Sequence, residues 1–145
     1  MHMQIVADSC CDLSEDDRKE LGVQTVPLTM TLGDKTFTDD DSLNLPDFME
    51  EMKACKSRIG SAAPAPSLYE SAFKSAEYSF AVTISSNLSG SYASAMVAKS
   101  LAEESGVGVH VFDSKSASAG EALIIHKIQK LIRESDIACR YGGEE

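Results

Sequence analysis

The 145-residue sequence has no apolar run close to the roughly 20 residues that a membrane-spanning helix needs. Its start, "MHMQIVADS", has no basic segment leading into a long apolar stretch, so no secretory leader is read there and a cytoplasmic location is expected. Basic residues are scarce: 13 Lys and Arg stand against 23 Asp and Glu, a net charge of -10. That balance argues against a nucleic-acid partner, which selects clustered cations to neutralise phosphates. It also disfavours docking on anionic membranes by charge. None of the four cysteines, Cys10, Cys11, Cys55 and Cys139, forms a C-x-x-C pair, so reduced thiols are expected rather than a zinc site or disulfide framework. The acidic run Asp39–Asp41 lacks the alternating spacing of an EF-hand loop and reads as a solvated turn. No metal and no cofactor are expected.

Catalytic signatures are missing as well. There is no G-x-S-x-G elbow and no G-x-x-x-x-G-K-[ST] loop. A nucleophilic serine needs a nearby base. His2 lies at the N-terminus, while His110 falls mid-strand and His126 mid-helix, neither at a strand end, so these two read as structural. Binding is therefore favoured over catalysis.

What is present is an ordinary globular balance, 43% hydrophobic and 25% charged, in a chain long enough to bury one core. Residues 1–145 are expected to form a single domain. "MQIVADS" reads as a first strand. A helix follows, with Ser14 as N-cap in a capping box with Asp17, and Gly22 as C-cap. "VQTVPLTMTL" reads as one strand, at an edge or bulged at Pro27. "GDKTFTDDDS" reads as a turn with a short strand or loop. Pro46 opens a helix carrying Phe48, Met49 and Met52. Gly60, Pro64 and Pro66 mark "SRIGSAAPAPS" as a loop without regular structure. Ser67 is the expected N-cap of the next helix, with Leu68, Ala72 and Phe73 on its inner face. "SFAVTISS" is a buried strand. A helix follows with Tyr92, Ala95, Met96 and Leu101 on one stripe, then the strand "GVHVFDS". The last helix is amphipathic through Ile124, Ile125, Ile128, Leu131 and Ile132, and ends in a frayed tail, "CRYGGEE". This alternation implies a three-layer α/β/α fold with a mostly parallel sheet.

In such sheets ligands bind beyond the carboxyl ends of the strands. "ADSCCD", "ISSNLSGS" and "FDSKSASAG" all stand there, and should converge on one sheet edge, with "GSAAPAP" joining them. Hydroxyls and free N–H groups at a helix start suit a carboxylate or phosphate. Ser85, Ser86, Ser89 and Ser91 surround Gly90, and one helix cap needs only one hydroxyl, so a ligand is favoured. Gly90 is expected to let the backbone approach the ligand and to free the local φ and ψ. Ser114 and Ser118 read as caps. Asp8 and Ser9 end the first strand, Asp113 the last. Two alternatives stay open: a serine-dependent hydrolase or phosphotransferase, and a phosphate- or nucleotide-binding regulatory domain.

Four segments of the sequence resemble the DegV family. "IVADSCCDLS" is similar to the family's I-V-T-D-S-T-A-D-L-P, and "VQTVPLTMTLGDKTFTDD" to V-V-P-L-x-V-x-x-x-G-x-x-Y-x-D. "ISSNLSGSYASA" is similar to I-S-S-x-L-S-G-T-Y-x-S-A, and "VHVFDSKSASAGEAL" to V-x-V-I-D-S-x-x-x-S-x-G. The resemblance implies a non-catalytic protein that binds a long-chain fatty acid in an apolar tunnel and presents its carboxylate to a fatty acid kinase subunit. It implies that Ser89, the serine of L-S-G, contacts that carboxylate. Ser61 stands where the family's T-S-Q-P-S-P loop has its threonine, with Ala62, Ala63 and Ala65 replacing polar residues. Ser85, Ser86, Gly90, Asp8 and Ser9 complete the expected ligand-binding set at the strand ends. The resemblance also implies a second family domain that these residues do not include.

Overall fold

The computed structural model describes residues 1–141, with side-chain surroundings through Ser135. Four strands form a parallel sheet: β1 (Met3–Asp8), β2 (Val23–Val26), β6 (Tyr78–Thr83) and β7 (Gly108–Asp113), in the order β2-β1-β6-β7. Three short strands, β3 (Thr29–Leu32), β4 (Lys35–Thr38) and β5 (Ile59–Ala62), form a second, antiparallel sheet ordered β4-β3-β5. The helices are α1 (Glu15–Leu21), α2 (Leu45–Ala54), α3 (Pro66–Phe73), α4 (Ser91–Glu104) and α5 (Ala119–Tyr141).

The parallel sheet is buried on both faces, which is why its strands read as continuous apolar runs. On one face Val6, Val26, Ala81, Val109 and Val111 pack against Tyr69, Ala72 and Phe73 of α3 and Ala95, Ala98 and Ala102 of α4. On the other, Ile5, Ala7 and Val82 pack against Leu21 of α1 and Ile125 and Ile128 of α5. The three layers follow the expectation. Burying Ile125 or Phe73 contributes roughly 1.5–3 kcal/mol each.

Several local expectations are met for physical reasons. Ser14 Oγ accepts from the Asp17 amide, and Gly22 closes α1 at φ 65°, a left-handed position that glycine takes without strain. Asn44 caps α2, with Pro46 in its first turn. Five expectations need correction. "VQTVPLTMTL" is two strands in two different sheets, broken at Pro27, whose missing N–H ends the β2 ladder. "SRIGSAAPAPS" is not without structure. Residues 59–62 contain no proline, so they pair along β3, while Pro66 suits the first helical turn of α3. Ser67 is not the α3 cap; Ala65 holds that place without a side-chain bond, and Tyr69 rather than Leu68 faces inward. On α4 the buried face is Ser91, Ala95, Ala98 and Ala102, while Met96 and Leu101 are exposed. Small residues win there because α3 packs closely against α4. Finally, α5 continues to Tyr141, through the first three residues of the expected frayed tail; the rest of that tail lies outside the described residues.

Candidate functional site

The order β2-β1-β6-β7 has its switch point between β1 and β6. The chain leaves β1 toward β2 on one side and returns to β6 on the other. Connections diverge there and leave a crevice beyond the strand ends. The ends of β1 and β6 are Asp8 and Thr83, so these two residues and the loop 84–90 that leaves β6 stand at the switch point.

That loop is held from three sides. Its own turn closes with the Leu88 and Ser89 amides donating to the Ser85 carbonyl. The Ser85 amide donates to the Ser116 carbonyl at 2.8 Å, tying the loop to the one after β7. Ser118 in turn donates its amide to the Cys10 carbonyl. The three polar clusters do converge on one edge. Beneath them Asp8, fully buried, accepts from the Cys10 amide at Oδ1 and from the Ile84 amide and Ser91 Oγ at Oδ2, at 3.2, 2.8 and 2.7 Å. Ser91 Oγ also meets the Tyr69 hydroxyl at 2.6 Å, so Tyr69 donates to Ser91 and Ser91 to Asp8. Burial raises the Asp8 carboxyl, opposed by the Ser91 hydroxyl and the Ile84 amide. Burial and the charge of Asp8 likewise push the Cys10 thiol up to about 12, which leaves it unreactive.

The loop serines differ in what they leave open. Ser86 gives its proton to Asp113 Oδ2, and that bond lowers the Asp113 carboxyl. Ser85 is buried and accepts from the Asn87 amide. Ser89 accepts from the Ser91 amide at 3.2 Å, which occupies a lone pair and leaves its O–H free to donate. Among the described residues no acceptor meets the Tyr92 and Ala93 amides in the first turn of α4. One hydroxyl and two amides at a helix start are therefore left without an acceptor, a donor set that suits an anion. Exposed apolar side chains are at hand: Leu88, next to Ser89 in sequence, is 68% exposed, and Leu68 in α3, which packs on α4, is 48% exposed.

A family model described as "Uncharacterised protein, DegV family" matches residues 2–137. The chain belongs to the DegV family. A DegV domain-containing protein of Streptococcus gordonii is 41% identical over 136 residues, covering 91% of this chain and 48% of that protein. The chain thus spans about half the length of the curated relatives it matches. A solved DegV family structure from Ruminococcus gnavus with vaccenic acid aligns at a TM-score of 0.85 and 35% identity, over 91% of this chain and 49% of that one. The Streptococcus pneumoniae fatty acid kinase B3 protein, loaded with linoleic acid, aligns at a TM-score of 0.83 and 36% identity, over 93% and 50%.

Within this DegV chain the expected site residues fall into two groups. Asp8, Ser85, Ser86, Ser89 and Gly90 come together at the switch point. Gly90 stands over the residues after β5: a Cβ there would lie 3.7 Å from that of Ala63. Its φ of -77° is open to any residue, so the expected freeing of φ and ψ is not its role. Ser61 is on β5, paired with Met30 and exposed, near this edge through Ala63 rather than by a bond to Ser89. Ser9 faces away, accepting from the Leu28 amide at 3.0 Å and holding the junction between the two sheets. Ser114 does not cap a helix, because its hydroxyl bridges within its own loop to Ser116. Sequence reasoning misses Tyr69 and Glu121, and it groups Ser91 with the ligand serines, whereas Ser91 bonds Asp8 and Tyr69 in the interior. A signal existed for Glu121: it is the only charged residue in the first turn of α5 and follows "SAG" directly.

Proposed function

We propose that this chain binds a long-chain fatty acid as one domain of a DegV-type carrier. The carboxylate is held by the Ser89 hydroxyl and the Tyr92 and Ala93 amides, with Ser61 approaching from β5. Ser85 and Ser86 shape the loop, Gly90 keeps its rim low, Asp8 fixes the crevice floor, and Ser9 only ties the two sheets together behind it. Leu88 and Leu68 meet the first part of the acyl chain. The carrier does not react with its ligand; it presents the carboxylate to a fatty acid kinase subunit in the cytoplasm. One observation supports this reading: the Ser89 O–H and the Tyr92 and Ala93 amides, adjacent in the chain after β6, have no acceptor among the described residues. The fatty acids held by relatives from Ruminococcus gnavus and Streptococcus pneumoniae support it.

The test is organic extraction of the purified chain with mass spectrometry, followed by displacement of a fluorescent fatty acid. A long-chain acid in the extract is the expected result. Ser89→Ala should weaken retention by about 1–3 kcal/mol, since a desolvated carboxylate loses a donor. Equal affinity in the variant would remove Ser89 from the site. Hydrolysis of generic esters, lost in the same variant, would favour an enzyme instead.

A further inference from the structure

Among the described residues, Glu121 alone carries buried side-chain oxygens without a hydrogen-bond partner. It lies in the first turn of α5, is 0% exposed, and neither carboxyl oxygen has a hydrogen-bond donor among the described residues. It lies where the start of α5 packs on β1 and the turn after it, with the Ser118 amide on the Cys10 carbonyl, and there its nearest titratable neighbour is Asp8, itself fully buried. The other titratable groups facing it are Asp12, Cys10 and Cys11 from the turn after β1 and Tyr69 from α3. β6, also packed against α5, adds none at that end. No cation is among them. Arg18 is engaged by Asp41 at 2.6 Å, and Lys115 is exposed beside Asp113.

Two ionised carboxylates cannot share a buried space without a cation, so such a pair retains a proton. The surroundings decide which partner carries it. Asp8 already receives three donors, from Cys10, Ile84 and Ser91, all of which favour its anion. Glu121 receives none. As an acid, Glu121 gains the one partner available to it, by donating its O–H to Asp8. We propose that Glu121 is a positioning residue of this site: it stays protonated in the folded chain and donates to Asp8, so that a single charge orients the loop carrying Ser89. The orientation runs through bonds already described, Tyr69 to Ser91 to Asp8, with the Ser91 amide on Ser89. The site role rests on the fatty-acid reading above; the shared proton does not.

Burial first, then the charge of Asp8, push Glu121 up to about 9. A carboxyl raised on folding holds its proton longer in the folded state than in the unfolded one. Its contribution to stability is therefore complete below the ordinary glutamate range and is lost as pH rises toward about 9. The melting temperature of the wild-type chain should fall across that window, and that of Glu121→Gln, which keeps a neutral donor, should fall less.

Infrared spectroscopy of the ligand-free chain tests the proton directly. At pH 7 the wild type should show the carbonyl stretch of a protonated carboxyl, absent in Glu121→Gln and lost from the wild type as pH passes about 9. No such band in the wild type, or a band that persists in Glu121→Gln, would overturn the proposal. A second arm measures displacement of a fluorescent fatty acid against pH. Wild-type affinity should drop about tenfold per pH unit beyond the transition, while that of Glu121→Gln stays level. Parallel curves would overturn the positioning role. Should neither protein bind fatty acid at any pH, the ligand reading fails, and the infrared band still decides where the proton sits.

Discussion

Ser91 ties the loop, the helix and the sheet together with one hydroxyl. It accepts from Tyr69 and donates to Asp8, all three buried. Ser91→Ala leaves the tyrosine hydroxyl and one carboxylate oxygen short of a partner. Urea unfolding should show a loss of about 1–3 kcal/mol, whereas exposed Ser100→Ala further along α4 should stay within about 0.5 kcal/mol. The sequence made Asp8 and Ser89 visible because each belongs to a polar cluster that follows an apolar run, where strand ends place ligand groups. It hid Tyr69 and Glu121 because their roles come from partners 22 and more than a hundred positions away. Tyr69 looks like any helical aromatic, and Glu121 like any helix-start acid offsetting a dipole. Only burial separates them from the ordinary case.

At the scale of elements, caps and breakers explain most of what was legible. Gly22 ends α1 in a left-handed turn whose amide reaches the Arg18 and Lys19 carbonyls. Nothing crowds a Cβ at that position, so Gly22→Ala isolates backbone strain and should cost about 1 kcal/mol by chemical denaturation. The second sheet was not legible, because its strands span only four residues each and carry too few positions to establish a period of two. Gly60 added to the confusion. It sits inside β5 because Thr31 Oγ1 crowds that position, 3.0 Å from where a Cβ would stand, so a residue that reads as a breaker is there for close approach.

At the scale of the molecule, one sheet separates two apolar clusters with no shared residue. Phe73→Ala empties a fully buried site on the α3 and α4 face and should cost about 3–5 kcal/mol. Phe73→Leu and Ile125→Val, on opposite faces, should add within about 0.5 kcal/mol in a double-mutant cycle, because no side chain belongs to both clusters. A larger coupling would mean that the sheet transmits strain between its faces. The layering itself was legible from the alternation of strands and helices, whereas the strand order was not, since it depends on where β6 returns after the second sheet. That return also sets the timing of assembly. Asp8 is synthesised long before its donors Ile84 and Ser91, which lie 76 and 83 positions further along. On the ribosome, its carboxylate must stay hydrated while α1, the small sheet and α3 emerge. It can leave water only once β6 is laid beside β1. The crevice floor is therefore among the last parts to set, and a spectroscopic label beside Ser89 should report completion of the central sheet rather than its beginning.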